Sequence, residues 1–347
     1  MNETLHFLTQ LQEYQKIEDA AKHCKTCFAF GAFSTKMYFA ASLAERLGKK
    51  AFIIVPDDLK ARNVHEFMRD YVGNSYLFPA KDYNFRNIDS VSRFNDNARI
   101  EAISHIRRND YKSIIITAEA LCSLVMHPDD YHEIIIKNNN SYPFDNLNKE
   151  LTGMGYEFFS TVEGPGQFSI RGGIIDIFPP SEDAPYRIEF FGDDVDSISI
   201  FDINTQRRTE KKDLIKITPA VEHTLEITEK LIEILQKMPQ DKQIAADLEM
   251  LSQGILPKHD RYLPAYYDKP ANILSYLSEN DLLFLFDYHE IIQNINSFSF
   301  RISEEIKTLA ETGYRFLQKD YFFNKEQVLS AVGKPLIFEK MCIRDRI

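Results

Sequence analysis

Residues 164–207 read GPGQFSIRGGIIDIFPPSEDAPYRIEFFGDDVDSISIFDINTQR, and their pattern sets the architecture of the middle of the chain. Apolar and polar residues alternate in the runs FSIR and YRIEFF, as they do in strands with one buried face, because successive side chains of a strand point to opposite faces. Glycines interrupt these runs, and Gly192 before Asp193 and Asp194 favours a type I′ or related hairpin turn over a metal site. The stretch therefore predicts an antiparallel sheet.

One face of this predicted sheet carries cations and an aromatic ring that its core does not need. The core-facing positions are Phe168, Ile170, Tyr186, Ile188 and Phe190. Arg171, Arg187 and Phe191 fall on the opposite face, which we expect to be exposed. Arginine beside an aromatic residue is the composition of a protein-binding hot spot. These three residues are therefore the candidate partner-binding site.

An alternative is that Arg171 and Arg187 have a purely electrostatic role in the sheet. Glu189, Asp193 and Asp194 lie close to them in the sequence. Exposed ion pairs of this kind are common and contribute little to stability. The alternation alone does not choose between the two interpretations.

Composition and charge limit the classes of function. The chain has 347 residues, of which 44% are hydrophobic and 27% charged, and this predicts two or three globular domains. Its formal net charge is −11, whereas a domain that binds DNA by itself is expected to gather lysines and arginines on one face. Four cysteines, and no apolar run of about 20 residues, predict a cytoplasmic protein without a disulfide framework or a membrane span.

Strands and helices alternate in the first part of the chain, which predicts a parallel α/β sheet. The candidate strands are residues 25–30, 51–55, 76–78 and 113–117, and the candidate helices are residues 34–47, 57–71, 93–106 and 118–125. A third part is mostly helical, for example at 303–310, but has one convincing strand at 282–287. We predict that this strand completes the first sheet, so that residues 132–218 are an insertion.

The turn around Gly31 resembles a phosphate-binding loop but lacks its essential residues. Such a loop needs a glycine-rich turn that brings backbone N–H groups onto phosphates, and a lysine that reaches the terminal ones. Gly31 is the only glycine, and Ser34 and Thr35 occupy the tight turn. Met37 stands at the lysine position, and Lys36 comes one position early, a rotation of about 100° on a helix. We predict no working ATP site.

The strand that ends at Asp287 is a second test of phosphate chemistry. In a P-loop enzyme an acid at this point binds Mg²⁺. Asp287 retains the acid, but Tyr288 replaces the glutamate that would orient the attacking water. Both halves of the chemistry are degenerate, so we expect neither ATP hydrolysis nor a bound cofactor.

Other polar clusters favour a structural role. Cys24 and Cys27 have the spacing of a metal or redox pair, but no second pair follows, and core cysteines are the favoured interpretation. No nucleophile, base and orienting group can be assigned around His259, Asp260 and Tyr262. We predict no metal site and no catalytic residue.

The motifs GQFSIRGGIIDIFPP and PYRIEFFGDDVDSI, followed by FD and TQR, carry a family resemblance. They resemble domain 2 of bacterial transcription-repair coupling factors (Mfd), a module that is similar to domain 2 of the excinuclease helicase UvrB. The resemblance is strong over residues 156–222 and weaker elsewhere, where it includes FPAKD at 78–82 and ITPAVEH at 217–223.

The resemblance implies a fold and a domain order. Residues 1–131 (domain 1a) and 219–340 (domain 1b) form a degenerate P-loop NTPase-like parallel sheet domain from two chain segments. Residues 132–218 (domain 2) form an inserted antiparallel α+β domain. Residues 341–347 do not continue the family pattern and are a tail of doubtful origin.

The resemblance also implies partners. In the family, domain 2 docks on the excinuclease subunit UvrA, and the docking positions correspond to Arg171, Arg187 and Phe191. The chain is then a non-catalytic UvrA-recruiting module of transcription-coupled nucleotide excision repair, and intramolecular contacts can mask domain 2. A complete member is a DNA translocase that uses ATP and Mg²⁺ in motor domains to displace stalled RNA polymerase, and it contacts RNA polymerase and DNA through further carboxyl-terminal domains. The alternative is the ATPase or helicase half of a UvrB-type excinuclease subunit.

Overall fold

Six parallel strands from two distant chain segments form the largest sheet of the computed structural model, which describes residues 8–23, 25–86, 93–222, 227–253 and 256–339. These strands are β1 (Cys27–Phe30), β2 (Ala51–Val55), β3 (Ser75–Phe78), β4 (Ser113–Thr117), β13 (Leu282–Phe286) and β14 (Leu336–Glu339). Their order across the sheet is β1-β14-β13-β2-β4-β3. β13 pairs with β2 and with β14, so the strand predicted at 282–287 completes the first sheet.

The helices cover both faces of this sheet, because its central strands are continuous apolar runs that must be buried on two sides. The first segment contributes α1 (Gln12–Lys22), α2 (Phe33–Leu47), α3 (Asp58–Val72), α4 (Phe94–Arg108) and α5 (Ala118–Cys122). Later helices are α7 (Ile227–Gln236), α8 (Lys242–Ser252), α9 (Tyr288–Glu311) and α10 (Lys325–Ala331). Short 3-10 helices lie at Pro128–Asp130, Asp260–Ala265 and Ile273–Tyr276.

Local sequence explains the ends of the predicted helices. α2 ends at Gly48, which adopts the left-handed conformation with φ 62° that glycine accepts at a helix end. α3 begins after Asp57, whose side chain accepts a hydrogen bond from the backbone N–H of Lys60. The third segment differs from the prediction, because its main helix covers 24 residues, of which 303–310 are a part, and because β14 was not predicted.

The inserted part forms a second sheet of six strands in the order β11-β10-β9-β8-β7-β6. These strands are β6 (Glu157–Phe158), β7 (Gln167–Arg171), β8 (Ile174–Phe178), β9 (Tyr186–Phe191), β10 (Asp194–Phe201) and β11 (Arg208–Lys212). All neighbours are antiparallel except β6 and β7. α6 (Phe144–Gly153) contributes Leu147 and Leu151 to the apolar core on one face of the sheet. The predicted α/β class with an inserted antiparallel domain is confirmed.

The insertion leaves and rejoins the larger domain through one pair of strands. β5 (Ile134–Lys137) and β12 (Leu214–Ile217) pair in antiparallel fashion. Arg108 of α4 links the larger domain to the inserted part. Its guanidinium donates hydrogen bonds to Glu133 and to Glu182, each at 3.0 Å. The domain limit at 132 therefore lies just before the first junction strand.

Among the described residues, no helix is both long and apolar enough to cross a membrane. The proposed tail at 341–347 and Cys24 lie outside the described residues.

Candidate partner-binding face and degenerate nucleotide site

The candidate face is the side of the inserted sheet opposite its core. Arg171 of β7 pairs in register with Ile174 of β8, and Ile174 pairs with Glu189 of β9, so these side chains form one row on one face. Phe191 lies two residues beyond Glu189 and therefore on the same face. Arg171 and Phe191 are the last residues of their strands, and both strands end on the same side of the sheet.

A tight turn at Gly173 holds these two strand ends together. The backbone N–H of Phe190 donates a hydrogen bond to the carbonyl of Gly173 at 2.7 Å. A Cβ atom at Gly173 would lie 2.6 Å from the carbonyl oxygen of Phe190, so only glycine fits without a backbone shift. On the other side, Gly192 has φ 63° in the two-residue loop between β9 and β10.

Phe191 is the most exposed part of this face. Its exposed fraction is 86%, more than that of any other large apolar side chain in the described ranges. The side chain of Arg171 is 47% exposed. The predicted placement of these two residues agrees with the structure, because the alternation put both on the open side of the sheet.

Arg187 differs from the prediction, because its side chain is only 14% exposed. Its Nε and Nη2 atoms donate to the two carboxylate oxygens of Asp176 at 2.7 and 2.9 Å. Its Nη1 atom donates to the carbonyl of Gln206 at 3.1 Å, and its guanidinium lies 4.7 Å from the centre of the Phe201 ring. The chain after β10 thus covers this arginine, and the hydrogen bonds to Asp176 raise its pKa.

Asp176 is the residue of this face that sequence reasoning missed. Its side chain is 1% exposed, and it also accepts a hydrogen bond from Arg171 Nη2. A signal was present, since Asp176 is the one charged residue in the otherwise apolar run IIDIF. The acids considered earlier have other contacts: Glu189 pairs with Arg208, and Asp193 accepts from the backbone N–H of Phe144 at 3.0 Å.

The degenerate nucleotide site lies at the carboxyl ends of β1 and β13. Only Gly31 and Ala32 separate β1 from α2, whose first turn already contains Ser34 and Thr35. Two residues cannot form the loop whose N–H groups surround a phosphate chain. Met37 is partly buried and packs against the core that α2 shares with the sheet.

Lys36, which comes one position early for a phosphate-binding loop, contacts the acid at the end of β13. It is fully buried, and its ammonium group pairs with the carboxylate of Asp287. Lys60 contacts the second oxygen of Asp287 at 2.9 Å and also pairs with Glu290. Burial alone would raise the pKa of Asp287, but the hydrogen bonds from the two lysines outweigh it and leave the pKa below its usual value.

The cluster of Lys36, Lys60, Asp287 and Glu290 has no net charge, because it contains two lysines and two carboxylates. Asp287 also has a left-handed backbone with φ 60°, and Tyr288 begins the helix that follows it. The cations that would otherwise contact phosphate are thus already paired with protein groups.

The remaining polar candidates have structural contacts. Tyr262 donates a hydrogen bond to Asp247 at 2.6 Å inside the larger domain, and His259 Nε2 lies 3.4 Å from the same carboxylate. Asp260 accepts from the backbone N–H of Asn84 at 2.6 Å and joins the first segment to the third. No group of three or more potential metal-ligating side chains occurs within the described ranges.

Known proteins resemble both the inserted sheet and most of the rest of the chain. A family model described as the UvrB interaction domain matches residues 134–223. Over 333 residues the chain is 27% identical to the transcription-repair-coupling factor of Bacillus subtilis (strain 168), covering 90% of this chain and 28% of that protein. It is also 27% identical over 255 residues to the protein of that name from Escherichia coli (strain K12), covering 70% and 22%. A third relative with that name, from Staphylococcus haemolyticus (strain JCSC1435), is 24% identical over 333 residues, covering 89% and 28%. The chain spans less than a third of each of these relatives.

Proposed function

We propose that the chain recruits UvrA in nucleotide excision repair. The support is that residues 134–223 match a family model described as the UvrB interaction domain, and that the chain is similar over most of its length to transcription-repair-coupling factors. The proposal concerns a binding module without catalytic activity. It places the module in the cytoplasm, where repair is coupled to transcription. The complete protein is then an ATP-dependent DNA translocase that displaces stalled RNA polymerase, and it contacts RNA polymerase and DNA through domains beyond this chain.

One observation carries the proposal. Arg171, which is half exposed, and Phe191, which is almost fully exposed, lie where two strands of the matched domain end. Arg171 and Phe191 have no role in the core on the other side of their sheet. A ring with this exposure buries little apolar area in the folded chain, whereas a ring that enters a pocket on a partner is a typical binding anchor. Arg187 lies on the same face and shares the carboxylate of Asp176 with Arg171.

The experiment is a titration of purified UvrA with the wild-type chain and its variants. Arg171→Ala and Phe191→Ala should each lower the binding free energy by about 1–4 kcal/mol, as truncations of interface anchors do. Arg171→Glu should have a larger effect than Arg171→Ala, because a like charge would meet the surface that accepts the cation.

Matched controls lie in the larger domain. Phe300→Ala removes another phenylalanine that is mostly exposed, and Arg301→Ala removes another exposed arginine with one ion pair. Neither should change UvrA affinity. Ile188→Ala, on the buried face one residue from Arg187, should lower stability by about 2–5 kcal/mol with little specific effect on the contact. If the Arg171 and Phe191 variants bind UvrA as the controls do, the recruiting face is elsewhere.

The alternative is an ATPase or helicase half of UvrB type, and nucleotide binding distinguishes it. The two-residue connection before α2 and the internally paired Lys36 favour the binding module. We expect calorimetric titration with Mg²⁺ and ATP to show no binding at millimolar concentration and no hydrolysis. A saturable site in the micromolar range would favour the alternative and contradict the view that this domain is structural.

Regulation of the face is part of the proposal. In a longer protein, contacts with other domains can mask Phe191 and Arg171 until the motor engages RNA polymerase. Masking predicts that the isolated chain binds UvrA more tightly than the complete protein does in the absence of DNA and RNA polymerase.

A further inference from the structure

A row of four polar side chains, three of them buried, crosses the candidate face. Ser169, Asp176, Arg187 and Ser199 are register partners on four consecutive strands. Ser169, Asp176 and Ser199 are each at most 2% exposed, although the sheet has its main core on the other side. A small apolar cluster that includes Phe178 and Phe201 covers one end of the face. The face therefore has a covered half and an open half.

Asp176 lies where the two halves meet, and two arginines share its carboxylate. Oδ1 accepts from Arg187 Nε, and Oδ2 accepts from the Nη2 atoms of both Arg187 and Arg171. Arg187 comes from the covered half, where Gln206 and Phe201 also contact it. Arg171 comes from the open half, one row nearer to Phe191.

The charges of these three groups are not balanced. One carboxylate faces two guanidinium groups, so one positive charge remains. That charge belongs to Arg171, because Arg187 has two hydrogen bonds to the carboxylate and is more buried. Within the described residues, only Nη2 of Arg171 donates a hydrogen bond, and its Nε and Nη1 atoms remain available for a partner.

We propose that Asp176 is a positioning residue for partner binding: it fixes the guanidinium of Arg171 on the face that also carries Phe191 before the partner arrives. This rests on the proposed function, that this face binds UvrA. An unrestrained arginine loses side-chain freedom when it binds, and an arginine that is already restrained loses less. Asp176 thus strengthens a contact that it does not make itself, and it acts on affinity through Arg171.

The test is a double-mutant cycle on UvrA affinity with Asp176→Asn, Arg171→Ala and the double variant. Asparagine keeps the size of the side chain and removes its charge. We expect Asp176→Asn to weaken UvrA binding by about 3- to 10-fold in the wild-type background. In the Arg171→Ala background it should have no further effect. A merely structural role would instead weaken binding by the same factor in both backgrounds, and that outcome, or unchanged affinity of folded Asp176→Asn protein, would overturn the proposal.

A second measurement needs no variant and remains decisive if Asp176→Asn fails to fold. Nuclear relaxation of the arginine Nε–Hε groups in the wild-type chain reports the mobility of each guanidinium. Arg171 should be nearly as restrained as Arg187, and clearly more restrained than Arg62 on the exposed side of α3. Mobility of Arg171 equal to that of Arg62 would show that Asp176 does not position it. Failure of the wild-type chain to bind UvrA would contradict the proposed function instead, and the relaxation result would be unaffected.

Discussion

At the scale of single residues, two arginines with the same predicted role have different surroundings. Arg187 makes two hydrogen bonds to a buried carboxylate, whereas Arg171 is half exposed and makes one. Loss of UvrA binding is therefore informative for Arg171, but for Arg187 it cannot be separated from a loss of stability without a folding measurement.

We expect Arg187→Ala to lower the free energy of unfolding by about 1.5–3 kcal/mol, because hydrogen bonds to a buried charged group are lost. Arg171→Ala should lower it by less than about 1 kcal/mol, as for other exposed ion pairs. Urea denaturation of the two variants measures the difference. Equal losses would mean that the covered half of the face does not restrain Arg187.

Asp287 gives a pH-dependent prediction for the paired cluster. Its pKa is lowered in the folded state, so the stabilisation is fully present above the unfolded pKa of about 3.9 and is lost as the pH falls through the folded value. The groups that face it are Lys36 from α2, Lys60 from α3 and Glu290 from α9. Asp287→Asn should therefore be less stable than wild type at pH 7.

The same variant should lose less stability than wild type when the pH is lowered from 5 towards 2, because asparagine has no proton to gain. Urea denaturation over this pH range compares the two proteins. Identical acid sensitivity would show that Asp287 does not contribute to folding through its charge.

At the scale of elements, the turn between β7 and β8 controls the geometry of the face. Gly173→Ala should lower the free energy of unfolding by about 1–3 kcal/mol and weaken UvrA binding, because the added methyl group meets the carbonyl of Phe190. Gly153→Ala is the matched control, since a Cβ atom there has open space at the end of α6 and alanine favours a helix. A Gly173→Ala protein as stable as the control would contradict this role of the turn.

Particular elements also show how far sequence reasoning reaches. Strong patterns such as AFIIV and SIIIT predicted the central strands with correct bounds, because buried parallel strands are nearly continuous apolar runs. The strand LIFE at 336–339 was missed, because four residues without flanking periodicity carry too little signal. Alternation put Arg187 on the correct face, but burial there depends on residues after β10 that fold back over it, a contact distant in sequence.

The nucleotide site shows a similar limit. Residue types alone identified the missing glycines and the tyrosine, Tyr288, that stands in place of the glutamate. They could not show that Lys36 contacts Asp287, since these residues are 251 positions apart and only the order of the strands brings them together.

At the scale of the whole molecule, the acidic balance restricts direct contact with DNA. With a net charge of −11, the chain should bind duplex DNA weakly and with a small dependence on salt, because few phosphates can be neutralised. Electrophoretic mobility shifts at low and at physiological salt measure this. Submicromolar affinity at physiological salt would instead favour the helicase alternative.

The junction strands have one further consequence. Ile134 and Ile217 are register partners, so the two points where the chain enters and leaves the inserted sheet are neighbours about 5 Å apart. An insertion with ends this close can replace a surface loop whose own ends are equally close. We therefore expect that the inserted sheet can be transferred into the surface turn of an unrelated carrier protein, or replaced here by a short turn, because neither change requires a new path for the chain on either side.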